Sequence, residues 1–129
     1  MTGAPPRGRR AAGPEVRRAR LRKGRIAELF AAAALIAKGY RILGRNVKTR
    51  AGEIDIIAVR GQRLAFVEVK RRATREDAEA ATSDRQAARI RNAADYWLAN
   101  RPRYHAYEQG FDLMLLLPRR WPRHIENGL

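Results

Sequence analysis

The chain has 129 residues, no cysteine and a formal net charge of +15. This length fits one domain with a modest core. The lack of cysteine excludes disulfides, thiolate catalysis and cysteine-ligated zinc. The excess of positive charge predicts attraction to a polyanion, namely DNA, RNA or an anionic membrane. Because no run of about 18 apolar residues occurs, we expect no membrane-spanning helix.

The first part of the chain differs in composition from the rest. Residues 1–23 are rich in Arg, Ala, Pro and Gly and carry almost no apolar bulk. This composition predicts a mobile basic arm, followed by a folded domain over residues 24–129. The arm lacks the apolar stretch of a secretory signal, and a cytoplasmic protein is expected. The alternative is an organelle transit peptide, because the arm is rich in Arg and nearly free of acidic residues.

A strong helical pattern follows the arm. It runs from Gly24 to Lys38, and Gly39 is expected to end it. Glu28 is the helix's only acid. Either it complements the helix dipole as a first-turn acid, or it has a functional role. The apolar stripe predicted to face the core consists of Ile26, Leu29, Phe30, Ala33 and Ile36.

Strands dominate the remainder of the chain. The segment 72–81 reads as a polar loop, and a second helix is predicted from Ser83 to Asn100, with Ser83-x-x-Gln86 as a capping box. The order α-β-β-β-α-β predicts an α/β fold in which helices flank a mixed sheet. The predicted strands are 40–48 with an irregularity at Gly44, 53–59, 63–71, 111–117 and a short strand within 121–125.

Charged residues interrupt the second and third strands. Asp55 lies in a run of Ile, Ala and Val, while Glu68 and Lys70 alternate with valines. Burying ionised groups is costly unless they are paired or bind metal. These three charges therefore need a structural or chemical cause.

A tight turn between these strands predicts how the charges are placed. Gly61-Gln62 fits a two-residue type II′ loop, which sets Asp55 opposite Glu68 and Glu53 opposite Lys70. All four then share one face. Facing carboxylates repel unless a cation lies between them, and a hard divalent ion suits oxygen ligands. The alternative is a solvated face on which Glu53 and Lys70 form an ordinary surface pair.

Other polar residues carry weaker signals. The arginines of the second helix, Arg89 among them, either line a track for phosphates or form a solvated face. Asp112 reads as a polar residue near a strand end. His105 and His124 show no metal-ligand spacing, so both are expected on the surface or in loops.

Several segments together match a known pattern. They resemble the bacterial YraN-like family, which is grouped with the PD-(D/E)xK nuclease superfamily and is similar to archaeal Holliday-junction resolvases. The resemblance runs from about Gly24 to the C-terminus. The segments are Glu28 in the first helix, Gly39-Tyr40, Arg45-Asn46, Gly52-Glu53-Ile54-Asp55 and Val67-Glu68-Val69-Lys70-Arg71.

The resemblance implies a restriction-endonuclease-like fold and a set of site residues. Asp55 and Glu68 would bind Mg²⁺ or Mn²⁺, Lys70 would be the catalytic lysine, and Glu28 would be the acid that the first helix brings to the site. The implied function is a metal-dependent endonuclease that hydrolyses phosphodiester bonds in DNA, with branched or single-stranded DNA as candidate substrates. A homodimer is expected only by analogy with junction resolvases.

Contacts to nucleic acid are expected from Arg45, Arg71, Gln86 and Arg89. The chain departs from the pattern at Gln86, where the family often has Lys, and at Ile54, where the superfamily has Pro. Two other functions stay open. One is a non-catalytic nucleic-acid-binding domain with a vestigial site, and the other is a small basic RNA- or ribosome-associated module.

Overall fold

A computed structural model of the chain describes residues 13–72 and 84–129. Over these ranges the predicted order α-β-β-β-α-β is confirmed, with a short fifth strand at the end. The elements are helix α1 (Pro14–Ala37), strands β1 (Arg41–Thr49), β2 (Gly52–Arg60) and β3 (Arg63–Arg71), helix α2 (Asp84–Ala99), a 3-10 turn (Pro102–Tyr104), and strands β4 (Glu108–Leu116) and β5 (Arg123–Ile125).

The described strands form one mixed sheet in the order β1-β2-β3-β4-β5. Strands β3 and β4 pair in parallel, and the other neighbours pair antiparallel. A parallel pair needs a crossover connection, and α2 lies within that connection. Helices α1 and α2 cover opposite faces of the sheet with separate apolar clusters. This α/β arrangement confirms the predicted fold class and is compatible with a restriction-endonuclease-like core.

The β2–β3 hairpin has the predicted loop and register. Arg60 pairs with Arg63, and the same register continues to the pair of Ile56 and Val67. Gly61 has a φ of +59°, as the first central position of a type II′ turn requires. The irregularity predicted in β1 is also confirmed, because the pairing with β2 shifts next to Gly44.

Helix α1 begins earlier than the sequence pattern predicts. It starts at Pro14 rather than Gly24, and proline at the first helical position is favourable because its missing N–H has no partner there anyway. Residues 14–23, which the composition assigned to the basic arm, are therefore helical. Residues 1–12, most of the predicted loop 72–81 and the predicted cap Ser83 lie outside the described residues.

The buried face of α1 is also different from the predicted one. Ala31, Ala32 and Ala34 pack on the sheet together with Leu35. The bulky residues of the predicted stripe, such as Phe30 at 61% exposure, face away from it. The reason is steric, since small side chains let a helix approach a sheet more closely than Phe and Ile do. This rotation turns the side of the helix that carries Glu28 toward the sheet. The exposed members of the stripe are Ile26, Leu29, Phe30, Ala33 and Ile36.

The core beneath α2 follows the sequence pattern closely. Ile90, Ala94, Trp97 and Leu98 are buried as predicted, and Ala93 joins them. Trp97 meets Phe66 of β3 edge-on, with ring centroids 5.9 Å apart. Aromatic pairs favour such geometry, so this contact helps to hold α2 against β3.

A buried polar network ties the end of the chain to the sheet. Arg63 binds both carboxylate oxygens of Asp112, at 2.7 and 2.8 Å. His124 Nε2 lies 2.7 Å from Asp112 Oδ2, and the backbone N–H of Asn127 donates to Oδ1 at 2.9 Å. Burial alone would raise the pKa of Asp112, but these hydrogen bonds outweigh it and hold that pKa below its usual range.

Two expectations about polar residues are corrected by this network. Asp112 is fully buried rather than a simple polar residue at a strand end, and the side chain of His124 is only 3% exposed rather than on the surface. Lys38 Nζ lies 2.6 Å from His124 Nδ1. Since an ammonium group can only donate, Nδ1 accepts and Nε2–H donates to Asp112. His105 is exposed, as expected.

No helix among residues 13–72 and 84–129 is long and apolar enough to cross a membrane.

Candidate active site

The two central strands part where the charged residues begin. The ladder between β2 and β3 ends with the pair Ile56–Val67. Beyond it, the backbone N–H of Val69 donates to Asp55 Oδ2 at 2.8 Å. The Asp55 side chain thus replaces the backbone acceptor that a continued ladder would supply. Asp55 and Glu68 were predicted to be opposed in a regular hairpin. The structure brings both to the same place, but at a fork between the strands.

A polar cavity of about 290 Å³ opens at this fork. Three carboxylates enter it from β2 and β3, and α2 closes its other side. Lys70 lies beside it, with Nζ 3.2 Å from Glu68 Oε1. The side chains of Lys70 and Glu68 are 11% and 18% exposed, so this pair is shielded from water more than a surface salt bridge is. The lining residues are Glu53, Asp55, Glu68, Gln86, Arg89 and Ile90.

The electrostatics of the cavity are unfavourable for several negative charges. Burial first, and then the nearby carboxylate of Glu68, raise the pKa of Asp55 to about 7, with the hydrogen bond from Val69 opposing. Glu28 and Glu53 add smaller repulsions in the same direction. Natural proteins tolerate such repulsion mainly where a function needs it.

Glu28 of α1 lies near enough to Asp55 and Glu53 for their negative charges to repel, although it is not among the described residues that line the cavity. Burial raises its pKa, a side-chain hydrogen bond from Asn46 lowers it, and Glu53 raises it. Its Oε2 atom is buried and has no hydrogen-bond partner among residues 13–72 and 84–129. A buried carboxylate oxygen without a partner is uncommon and costly, so this atom is a candidate for contact with a bound water, ion or substrate.

The predicted nucleic-acid contacts fall in three places. Gln86 and Arg89 line the cavity. Arg45 is exposed on β1, close enough to Glu28 to lower its pKa. Arg71 is exposed at the end of β3 and lines a separate groove on the α1 side.

Comparison with known proteins gives this arrangement a family. A model of the uncharacterised protein family UPF0102 matches residues 27–116, a span that includes Glu28, Asp55, Glu68 and Lys70. The chain belongs to UPF0102. The resemblance to the YraN-like family is thereby confirmed.

Individual UPF0102 proteins are similar over most of their length. The UPF0102 protein of Nitrobacter winogradskyi is 55% identical over 102 residues, which cover 79% of this chain and 86% of that relative. One from Bradyrhizobium diazoefficiens is 52% identical over 114 residues, covering 88% and 85%. One from Sinorhizobium fredii is 45% identical over 116 residues, covering 89% and 95%.

Oxygen donors at the fork make this UPF0102 site suitable for a hard cation. Asp55 and Glu68 offer carboxylate oxygens to one cavity, and Glu28 nearby has a buried oxygen with no hydrogen-bond partner among the described residues. Mg²⁺ is commonly held by one or two carboxylates and keeps several waters. In the described part of the chain, no group of three or more potential metal-ligating side chains is arranged around one point. Asp55 and Glu68 could therefore hold an ion only together with water or substrate oxygens.

Two residues beside this candidate site were not among those that sequence reasoning assigned to it. Glu53 lines the cavity, and its place on the charged face was the available signal. Asn46 hydrogen-bonds to Glu28 and has a φ of +52°. Asparagine adopts this left-handed conformation more readily than most residues, but no sequence pattern indicated that position 46 would require it.

The raised pKa of Asp55 predicts how the metal-free UPF0102 fold responds to pH. Between the ordinary value of 3.8 and about 7, the folded protein keeps a proton that the unfolded chain has released. Stability should therefore fall as pH rises through this window and level off above it. Urea unfolding in EDTA at a series of pH values measures this slope. In Asp55→Asn this dependence of stability on pH should vanish. Equal slopes of stability against pH for the two proteins would contradict the raised pKa of Asp55.

Proposed function

We propose that this chain is a divalent-metal-dependent nuclease that hydrolyses phosphodiester bonds in DNA, with branched or single-stranded DNA as its candidate substrates. The observation that carries the proposal is the meeting of the Asp55 and Glu68 carboxylates in one cavity, at parted strands, with Lys70 beside them. A buried repulsive pair weakens the fold, so its presence favours a function that uses it.

Each residue has a role that its surroundings suit. Asp55 and Glu68 would hold Mg²⁺ or Mn²⁺, which when bound polarises a phosphate and makes water more acidic. The ammonium group of Lys70 can position a water or neutralise charge that develops on a phosphate oxygen. Glu28 has a raised pKa and a partnerless oxygen, which suit it to accept a proton from a water.

The charge of the chain supports binding of a nucleic-acid backbone. The formal net charge is +15, and Arg89 reaches the cavity rim from α2. Gln86 beside it supplies no charge, so Arg89 is the positive group that α2 brings to the cavity lining. Arginine contacts to phosphate position a nucleic acid without reading its sequence. We therefore expect binding that depends on backbone shape and salt rather than on base sequence.

Gly52 should be needed to keep Arg89 in place. A Cβ atom at Gly52 would lie 2.9 Å from Arg89 Cγ, and Gly52 has a φ of +147°. We expect Gly52→Ala to destabilise the fold by about 1–3 kcal/mol and to weaken DNA binding, because the side chain of Arg89 must move. Urea unfolding and fluorescence anisotropy with labelled DNA measure the two effects.

Gly61→Ala is the matched control for this change. Gly61 also has a positive φ, but no atom of the described part of the chain lies within 4 Å of its added Cβ. It should lose stability through backbone strain alone and bind DNA as the wild type does. Equal DNA binding by both variants would show that Arg89 does not contact the phosphate backbone of DNA.

A second candidate function is a nucleic-acid-binding domain without catalysis. One observation favours it, since Gln86 lines the cavity at a position where a positive charge would help catalysis. Such a domain would show salt-sensitive binding that needs no metal and survives loss of Asp55, Glu68 and Lys70. Preference for structured RNA over DNA would point to the RNA-associated module instead.

Cleavage of labelled DNA tests the proposal. Single-stranded, duplex and four-way-junction DNA are incubated with the protein in Mg²⁺, Mn²⁺ or EDTA, and Lys70→Ala is run beside Lys38→Ala, which removes the same charge at the far end of α1. The proposal expects metal-dependent cutting that Lys70→Ala abolishes and Lys38→Ala retains. Binding without cutting on every substrate and with either metal would favour the second candidate.

A further inference from the structure

An apolar groove of about 1080 Å³ lies on the α1 side of the molecule. Ile26 and Phe30 of α1 form one wall, and Leu117, Pro118 and Trp121 after β4 form the other. Trp121 is 70% exposed and Phe30 is 61% exposed. Two large aromatic faces open to solvent at one place are unusual for a monomeric surface, and such patches commonly mark binding sites.

The rim of this groove is strongly basic. It carries two pairs of adjacent arginines, and none of the described residues that line the groove is acidic. Guanidinium groups bind phosphate in a bidentate manner, and aromatic faces accept stacked bases. The arginines are Arg71, Arg72, Arg119 and Arg120.

We infer that this groove binds unpaired nucleotides, with bases stacked on Trp121 and Phe30 and phosphates held by the flanking arginines. The inference rests on the proposed function, because it names the part of the substrate that lies outside the cavity. Stacking on aromatic side chains tolerates any base, which agrees with a site that reads no sequence. The volume exceeds the roughly 300–1,000 Å³ that holds a drug-sized ligand, so more than one base fits.

The position of the groove relative to the cavity favours a single strand over a duplex. Lys70 lies beside the cavity and the next residue, Arg71, lines the groove. Consecutive strand residues point to opposite faces of a sheet, so cavity and groove lie on opposite faces at the same end of β3. A single strand can turn around this end, whereas duplex DNA is stiff over about 150 base pairs.

A second copy of the chain fits the groove less well. A two-fold contact places the same patch of each copy against the other. The two pairs of arginines on the rim would then face their equivalents in the partner, and like charges opposed across an interface are costly. A polyanion instead neutralises these charges.

Binding of labelled oligothymidylate in EDTA, followed by fluorescence anisotropy, tests the groove without requiring cleavage. Trp121→Ala should weaken binding between about 5-fold and 150-fold, the range expected for loss of one stacked base. Trp121→Phe keeps an aromatic face and should stay within about threefold of the wild type. Tyr96→Ala, which removes an aromatic side chain that is 51% exposed on α2, should bind as the wild type does.

Intrinsic fluorescence gives a second readout of the same contact. The chain has two tryptophans, and Trp97 is buried whereas Trp121 is exposed. Oligothymidylate should quench the wild-type signal and leave that of Trp121→Phe almost unchanged. The double variant Arg119→Ala/Arg120→Ala leaves the apolar surface intact and should weaken binding with a smaller salt dependence.

Unchanged oligothymidylate affinity in both Trp121→Ala and the double arginine variant would overturn the inference. The inference would also be overturned if these substitutions changed the molecular mass of the protein on sedimentation but not its affinity for oligothymidylate, because the groove would then be a contact between copies. A different outcome would contradict the proposed function. A wild-type protein that binds oligothymidylate through Trp121 but cuts no DNA contradicts the nuclease and supports the groove.

Discussion

Asp55→Asn should abolish DNA cleavage and leave DNA binding nearly intact. The change removes a negative charge that would hold the metal but keeps the size of the side chain, and it leaves the positive charge of Arg89 in the cavity lining unaltered. Loss of a group that stabilises charge in a transition state costs roughly 10²–10³-fold in rate, and loss of the metal itself should cost at least as much. Single-turnover cleavage and anisotropy measure the two effects.

The same variant should make the metal-free protein more stable. Burial and Glu68 both raise the pKa of Asp55, so the ionised carboxylate is unfavourable in the folded state at neutral pH, and a neutral amide removes that cost. Gain of stability with loss of activity is typical of functional sites. Asp95→Asn, at an exposed position on α2, is the matched control. A variant Asp55→Asn that cuts normally would show that the cavity is not the active site.

Asp112→Ala should be among the most damaging single changes to the fold. It leaves the guanidinium of Arg63, whose side chain is 11% exposed, and the buried imidazole of His124 without their acceptor. Removing one partner of a buried ion pair typically costs about 3–5 kcal/mol. That is a large part of the total stability of a small domain, about 5–15 kcal/mol. Urea unfolding at neutral pH measures the loss.

Glu108→Ala is the control for Asp112→Ala, because Glu108 also pairs with Arg63. Its carboxylate lies 4.0 Å from Arg63 Nε, and its side chain is 71% exposed. Exposed pairs contribute about 0–1 kcal/mol. A loss of similar size in the two variants would show that the network around Asp112 does not secure the end of the chain.

The hairpin was predictable because its signals are local. Gly61-Gln62 sets the loop, the loop sets the register, and the register brings Asp55 near Glu68. The structure also shows where the two strands part, which the alternation of apolar and polar residues in the sequence cannot indicate. The ladder stops at Ile56 and Val67, and the side chain of Asp55 then accepts a hydrogen bond from the backbone of Val69. A fork between two strands does not alter the two-residue period of apolar and polar residues, so the sequence pattern does not reveal it.

The orientation of α1 was not predictable from hydrophobicity alone. Both sides of the helix are apolar, and the sequence pattern favoured the side with the larger residues. Close packing favoured the side with alanines, such as Ala31 at 0% exposure. The larger residues, including Phe30, were left at the surface. The resulting rotation brings Glu28 near Asp55 and leaves Phe30 to line the groove beside Trp121.

Long-range polar contacts were equally beyond sequence reasoning. Arg63 and Asp112 are 49 positions apart, and Lys38 and His124 are 86 positions apart. Each residue taken alone is predicted to be exposed to solvent, since charged side chains are seldom buried without a partner. Only the parallel pairing of β3 with β4 brings the first pair together.

Binding of Mn²⁺ to the wild type and to Asp55→Asn at slightly alkaline pH, followed by isothermal titration calorimetry, tests most directly whether the carboxylates of Asp55 and Glu68 form a metal site. The raised pKa of Asp55, about 7, makes alkaline conditions necessary, because a protonated carboxyl cannot bind an ion well. We expect saturable binding in the wild type that is lost in Asp55→Asn and weakens as the pH falls below about 7. Equal binding by both proteins, or none by either, would contradict a metal site at this pair.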